Sequence, residues 1–235
     1  MDRITRHDLK TDKFVEEVAH SVEYLEGHRS QVVRYGAIGL AVLVAAGGIW
    51  WFMQNRKAER QTALYEAIET YNTRVSTGTV PEGMKVFRTE TERTTAIVKD
   101  LGAMVQKFSG SDEASVATYL LGVNAADQGN IADASRYLKQ AAEGGNADYA
   151  SLAKLSLADI YFAEGKAAEA EKLAREIVAS PTTLVSKDQA SLALARIIAK
   201  TKPDEARKLL EPMRTTNGAS SRVAIQAMAD LGLTK

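Results

Sequence analysis

Cysteine is absent from the 235 residues, which excludes a disulfide framework, a thiolate zinc site and a cysteine nucleophile and leaves the redox compartment open. Histidine is nearly as scarce: His7, His20 and His28 are the only three. The commonest general base and metal ligand is therefore missing from everything after residue 28, and the spacings of the three are not those of a helical zinc pair. They read as solvated residues. With only four prolines and 6% aromatics, the chain lacks the β-branched and aromatic enrichment of sheets, and its abundant Ala and Leu point to an all-α fold. Neither sign of charge dominates, because 30 Lys+Arg face 30 Asp+Glu. No Lys/Arg run with interleaved aromatics appears, so the footprint of a nucleic-acid binder is missing.

The chemistry-bearing residues that do occur form no constellation. Glu164, Glu169 and Glu171 fall on expected helix surfaces beside Lys166, Lys172 and Arg175, the pattern of a solvated face. Ser109-Gly110-Ser111 offers hydroxyls without a base, and Gly144-Gly145 lacks the strand, helix and Lys of a phosphate loop. Both read as turns. The expectation is a protein that is not an enzyme and needs no cofactor or metal.

What is present begins with an apolar run. From Tyr35 to Met53 no charge interrupts the chain, and 19 helical residues rise about 28 Å, close to the hydrocarbon thickness of a bilayer. Tyr35, Trp50 and Trp51 stand where an interfacial aromatic belt lies, and Arg34, Arg56, Lys57 and Arg60 flank the run. A cleavable signal would start nearer the N-terminus and end in small residues, whereas this run ends in Trp-Trp-Phe-Met, so a retained transmembrane helix over 34–54 is expected. Gly36, Ala37, Ala41, Ala45 and Gly48 form a small-residue face on which another helix can approach. The near flanks almost cancel as an orientation signal. Six basic residues up to the span, against a long following segment that translocates regardless of charge, place residues 1–33 in the cytoplasm and the rest outside.

Within the tail, Phe14, Val18, Val22 and Leu25 follow Asp12 at helical spacing and predict a short amphipathic helix, lying on headgroups, docked on a partner or simply solvated. After the span, AERQTALYEAIETYNTRVS continues without a breaker, TGTVPEG marks a loop, and a helical stretch is expected over roughly 84–107. The chain then repeats itself. YLLGVNAADQGNIADASRYL from 119, LSLADIYFAEGKAAEAEKLA from 155 and SLALARIIAKTKPDEARKLL from 191 align with a period of 36 or 37. Gly122, Ala158 and Ala195 are small at one point. Gly129 and Gly165 mark a turn that Lys202-Pro203 replaces in the third unit, and Ala134, Ala170 and Ala206 are small again at the next point. Such self-similarity signals a helical solenoid over 55–235, with units about 115–150, 151–186 and 187–220 and a capping helix to 235.

The spacing resembles the tetratricopeptide repeat, whose helix–turn–helix unit carries small residues at these points and an aromatic three beyond the first. Tyr161 supplies that aromatic; Ala125 and Ile198 replace it elsewhere, and Pro181 stands near the closing proline. In such repeats the first helix of each pair lines a concave face, which implies partner contacts through Tyr119, Val123, Asp159, Phe162 and Arg196, with packing between units as the other role for Tyr119 and Phe162.

Tail, span and repeats together resemble the YfgM-type proteins, ancillary subunits of the bacterial Sec translocon, on the segments KFVEEVAHSVEYLEGHRSQVVRYG, GGIWWF, ALYEAI and LADIYFAEGKAAEAEKL. The resemblance implies an inner-membrane anchor in membrane lipid, a periplasmic repeat domain, and a chaperone-like adaptor role. Its partners would be SecYEG, a membrane-anchored periplasmic prolyl-isomerase-type chaperone and exported client proteins. A repeat scaffold or assembly subunit of another bacterial membrane complex, facing the cytoplasm, is the alternative.

Overall fold

The computed structural model describes residues 29–234 except 80, 82 and 217. The expected tail helix around Phe14, Val18, Val22 and Leu25 and all three histidines lie outside the described residues. The described residues are 77% helical and hold nine helices and no strand. The chain divides into two compact units, Met1–Ala58 and Glu59–Lys235.

Helix α1, Arg29–Asn72, contributes to both units. Within the first it carries an 18-residue window of mean hydropathy 1.9, none of it buried, and is long and apolar enough to cross a membrane. Trp50 and Trp51 are about two-thirds exposed, and a side chain added at Gly36 or Gly48 would meet nothing. An all-round apolar helix of this kind exposes a surface that no described residue covers.

The second unit starts with a helix pair that precedes the first of the aligned repeats. Residues 59–72 of α1 pack on α2, Glu90–Lys107, through Ala67, Ile97, Leu101 and Met104, and α3, Asp112–Asp127, closes this core with Ala117 and Leu121. Burial of Ile97 and Leu101, both fully buried, is worth roughly 1.5–3 kcal/mol each. Arg93 of α2 completes the end of α1, which has no basic residue in its last turn. It donates from Nη2 to the Tyr71 carbonyl at 2.8 Å and from Nε to the Thr73 carbonyl at 3.0 Å, satisfying carbonyls left open at a helix terminus.

Helix α2 begins at residue 90 rather than near 84. Phe87 bridges Val75, its N–H donating to the Arg74 carbonyl at 3.0 Å while its own carbonyl accepts from the Ser76 N–H at 2.9 Å. That extended pairing holds residues 84–88 out of the helix. Thr89 then caps it, its side chain accepting from the Glu92 N–H.

Three further pairs-in-series follow: α3 with α4, Ile131–Ala142; α5, Ala147–Ala163, with α6, Ala167–Ala179; and α7, Lys187–Ile198, with α8, Pro203–Arg214. Helix α9, Ala219–Asp230, packs behind them. Side chains of Ser111, Asn130, Asn146 and Ser186 accept from backbone N–H groups at the starts of α3, α4, α5 and α7.

The repeated small residues lie where helices meet. Ala134, Ala158, Ala170, Ala195 and Ala206 are completely buried, and a Cβ on Gly122 would stand 2.8 Å from the Leu138 Cγ. Gly129 and Gly165 adopt φ of 73° and 79°, the left-handed region that glycine enters without penalty. Each closes its helix in the same way: the next residue's N–H, from Asn130 or Lys166, reaches the carbonyl of Ala125 or Tyr161, a Schellman end. The third unit differs. Lys202 N–H reaches Ile198 at 2.7 Å, and Pro203 stands at the first position of α8, where a missing N–H costs nothing.

Candidate functional site

The first helices of the three units, α3, α5 and α7, carry the five residues expected on the inner face. Tyr119 and Val123 are half-buried on α3, Asp159 is exposed and Phe162 half-buried on α5, and Arg196 is exposed on α7. Tyr119 is held edge-on against Tyr149 of α5, with ring centroids 5.5 Å apart and planes at 67°. Burial lifts its phenol above the ordinary value, the neighbouring Ser156 hydroxyl opposes the rise, and Tyr149 adds to it. Phe162 packs on the core formed by α5 to α9. Both aromatics thus contribute to packing between units and expose only part of their rings.

Asp159 and Arg196 form an ion pair across units, the Arg196 guanidinium donating to Asp159 Oδ1. Their side chains remain about half exposed, at 49% and 52%. The pair is thus an exposed charge pair bridging α5 and α7.

The structure adds residues that the repeat alignment passed over. Tyr71, at the end of α1, has its phenol raised by burial and then by Asp127 of α3, with Arg93 opposing and Tyr119 adding slightly. Residues of α1, α2 and α3 therefore share one electrostatic neighbourhood. The available signal was the unbroken helical pattern running through Tyr71, which stands one residue before the end of α1.

On the second helices, charges pair with charges. Arg175 Nη2 bonds Glu171 Oε1 at 2.7 Å and Glu205 Oε1 at 2.6 Å, and Lys202 Nζ bonds the same Glu171 oxygen at 2.6 Å. These contacts join α6 to α8 and its approach. Hydrogen bonds from Lys202 and then Arg175 hold the Glu171 carboxyl below its usual range. Glu164 accepts from Lys166 at 2.8 Å. Among the described residues no group of three His, Cys, Asp or Glu side chains is placed to hold a metal ion. The carboxylates serve as surface ion pairs.

Paired antiparallel helices with small residues at their crossings, stacked unit on unit, define a helical-repeat protein, a class whose all-helical surfaces typically serve as scaffolds for protein–protein contacts. The model of the tetratricopeptide repeat-like domain matches residues 28–180, and the chain belongs to that family. The match ends before α7, the unit in which Lys202-Pro203 replaces the turn glycine. No curated protein and no solved structure matches the chain.

Proposed function

We propose that the protein is a membrane-tethered interaction adaptor, an ancillary subunit of the Sec translocon that assists exported proteins as a chaperone-like factor. The observation carrying this reading is that a wholly exposed apolar stretch of α1 runs into a domain of an interaction family. Lipid covers the apolar stretch as a single span, with Tyr35, Trp50 and Trp51 at the interfaces and the small-residue face of Gly36, Ala41 and Gly48 toward a neighbouring helix.

In this reading the span lies in the bacterial inner membrane, residues 1–33 are cytoplasmic and the repeat domain is periplasmic, as tail length and the YfgM-type resemblance suggest. Its partners are SecYEG, a membrane-anchored prolyl-isomerase-type chaperone and exported clients; nucleic acid is not among them. Client segments lie on the inner face, contacting the exposed edges of Tyr119 and Phe162 beside Val123, while Asp159 and Arg196 exchange their mutual contact for charges on the client.

Photo-crosslinkers placed at Val123, Asp159 and within the span test this in native membranes. Adducts with translocon components and an exported client are expected; recovery of neither refutes it. Topology has its own test, made simple by the absence of cysteine. Cysteine placed at exposed Ser180 reacts with an impermeant maleimide in cells with a permeabilised outer membrane if the domain is periplasmic, and protection there transfers the adaptor to the cytoplasmic face as a scaffold for another membrane complex.

A further inference from the structure

Between residues 63–73, residues 100–108 and the connecting segment that contributes Pro81 and residues 84–88, the repeat domain carries an open cleft of about 980 Å³. Its floor is apolar and shallow in side chain, built from Ala63, Ala67, Ala103 and Met104. No residue of α3 lines it, because Ala117 and Leu121 close the opposite side of the same core. The cleft is thus the outer groove of the first helix pair, the surface against which a neighbouring helix packs in an array of this kind.

Charge gives the groove a sign. Glu66 and Glu69 rise from α1 and Asp100 from α2. Asp100 accepts a hydrogen bond from the Thr70 hydroxyl at 2.8 Å, and among the described residues no ion pair joins any of the three to a cation. The rim cations are mostly engaged elsewhere: Arg88 donates to the Ser76 and Gly78 carbonyls, and Lys107 pairs with Glu59 at 2.7 Å. Lys85 and Arg88 keep their charges against four lining carboxylates, Glu66, Glu69, Glu92 and Asp100. Met84, 62% exposed at the rim, supplies a thioether that adapts to different apolar shapes.

We infer that this groove seats an amphipathic helix of a partner protein, with apolar side chains at i, i+3, i+4 and i+7 on the alanine floor and Lys or Arg flanks against Glu66, Glu69 and Asp100. It is a second surface, separate from the inner face. The seated helix extends the solenoid by one element and removes from water an apolar groove that the first pair leaves open.

Full-length protein in phosphatidylcholine nanodiscs, titrated into a fluorescein-labelled Leu/Lys helical peptide and read by anisotropy above the empty-disc signal, tests this. The Leu/Lys peptide should bind at least about tenfold more tightly than its Leu/Glu counterpart, and more weakly as salt rises. Glu66→Lys with Glu69→Lys should reduce affinity at least about tenfold, and Ala103→Trp, at an exposed floor position, should block binding by filling the groove. Asp159→Arg on the inner face should leave it unchanged. Equal binding of both peptides, indifference to Ala103→Trp, or sensitivity to Asp159→Arg instead overturns the inference. So does concentration-dependent dimerisation abolished by the Glu66 and Glu69 changes, which would make a second copy the occupant.

Discussion

Gly122 offers the sharpest test of how the repeat pairs close. In a helix interior, Gly→Ala ordinarily stabilises by up to ~1 kcal/mol, because alanine reduces the freedom lost on folding. Here the added Cβ meets the Leu138 Cγ at 2.8 Å, its Cδ2 at 2.9 Å and the backbone nitrogen at 3.2 Å. Leu138 is fully buried, so it has little room to retreat. Overpacking of ~1–3 kcal/mol against a gain of ~1 leaves Gly122→Ala roughly 0–2 kcal/mol less stable than the parent. Gly122→Val, bulkier and β-branched, should lose about 2–3 kcal/mol, or some 4–12 °C in Tm for a domain of this size. Gly102 is the control, because it is also helical and a Cβ there meets nothing within 4 Å. Gly102→Ala should stabilise. Urea unfolding of the full chain, followed by far-UV circular dichroism, compares the variants. Leu138→Ala alone should lose about 2–5 kcal/mol, yet combined with Gly122→Val it should recover at least ~1 kcal/mol of coupling. If Gly122→Ala stabilises as much as Gly102→Ala, or the double variant is additive, the close approach of α3 and α4 does not govern this site.

Four other outcomes follow from contacts already described. The Glu171 carboxyl is held low by Lys202 and Arg175, so its contribution is complete above the ordinary Glu pKa of ~4.3 and is lost as pH falls through the depressed folded value. Glu171→Gln should reduce stability by less than ~1 kcal/mol at neutral pH and flatten part of the acid limb of Tm against pH. Arg93→Ala should expose the carbonyls of Tyr71 and Thr73 and speed proteolytic cleavage within residues 73–89; Arg93→Lys, lacking the fork that reaches both, should rescue only partly. Asp159→Arg should cost less than ~1 kcal/mol in stability, and Asp159→Arg with Arg196→Asp should restore the pair without restoring client crosslinks, whereas restored crosslinks would show that the pair is purely structural. Val44→Arg, in the apolar stretch of α1, adds about 2.5–3.5 kcal/mol to insertion and should release protein from membranes during alkaline carbonate extraction; unchanged retention contradicts a spanning helix.

The two surfaces differ in how they arise. The proposed inner face draws on positions of α3, α5 and α7, so under the proposed function a client would gain contacts by lying across several units. The outer groove lies where, among the described residues, the first pair has no further helix beside it on one side. Independent surfaces of this kind let a repeat protein hold a client and a fixed partner together without competition.

Local and periodic chemistry made much of the fold legible. Small residues recurring at 122, 158 and 195 mark helix crossings because a larger side chain there would collide at every repeat. Glycines at 129 and 165 mark turns because their positive φ opposes any Cβ. The uncharged run from Tyr35 to Met53 announced an apolar helix by length and composition alone. The residues beyond periodicity were not legible. The end of α1 and α2 form a pair although 17 irregular residues, 73–89, separate them, a gap that hides their relation from any repeat alignment. Tyr119 and Phe162 read first as packing between units and second as groove, and neighbouring helices cover part of each ring.

The sequence by itself determined the helices, their turns and the order of the units, since hydrogen bonding within four residues and helical spacing are local properties. Only the tertiary structure decided that Asp159 meets Arg196, that Glu171 gathers two cations from separate elements, and that Glu66, Glu69 and Asp100 wall one cleft. Those groupings depend on how helices stack across dozens of residues, where packing sets the distances and charge supplies the sign.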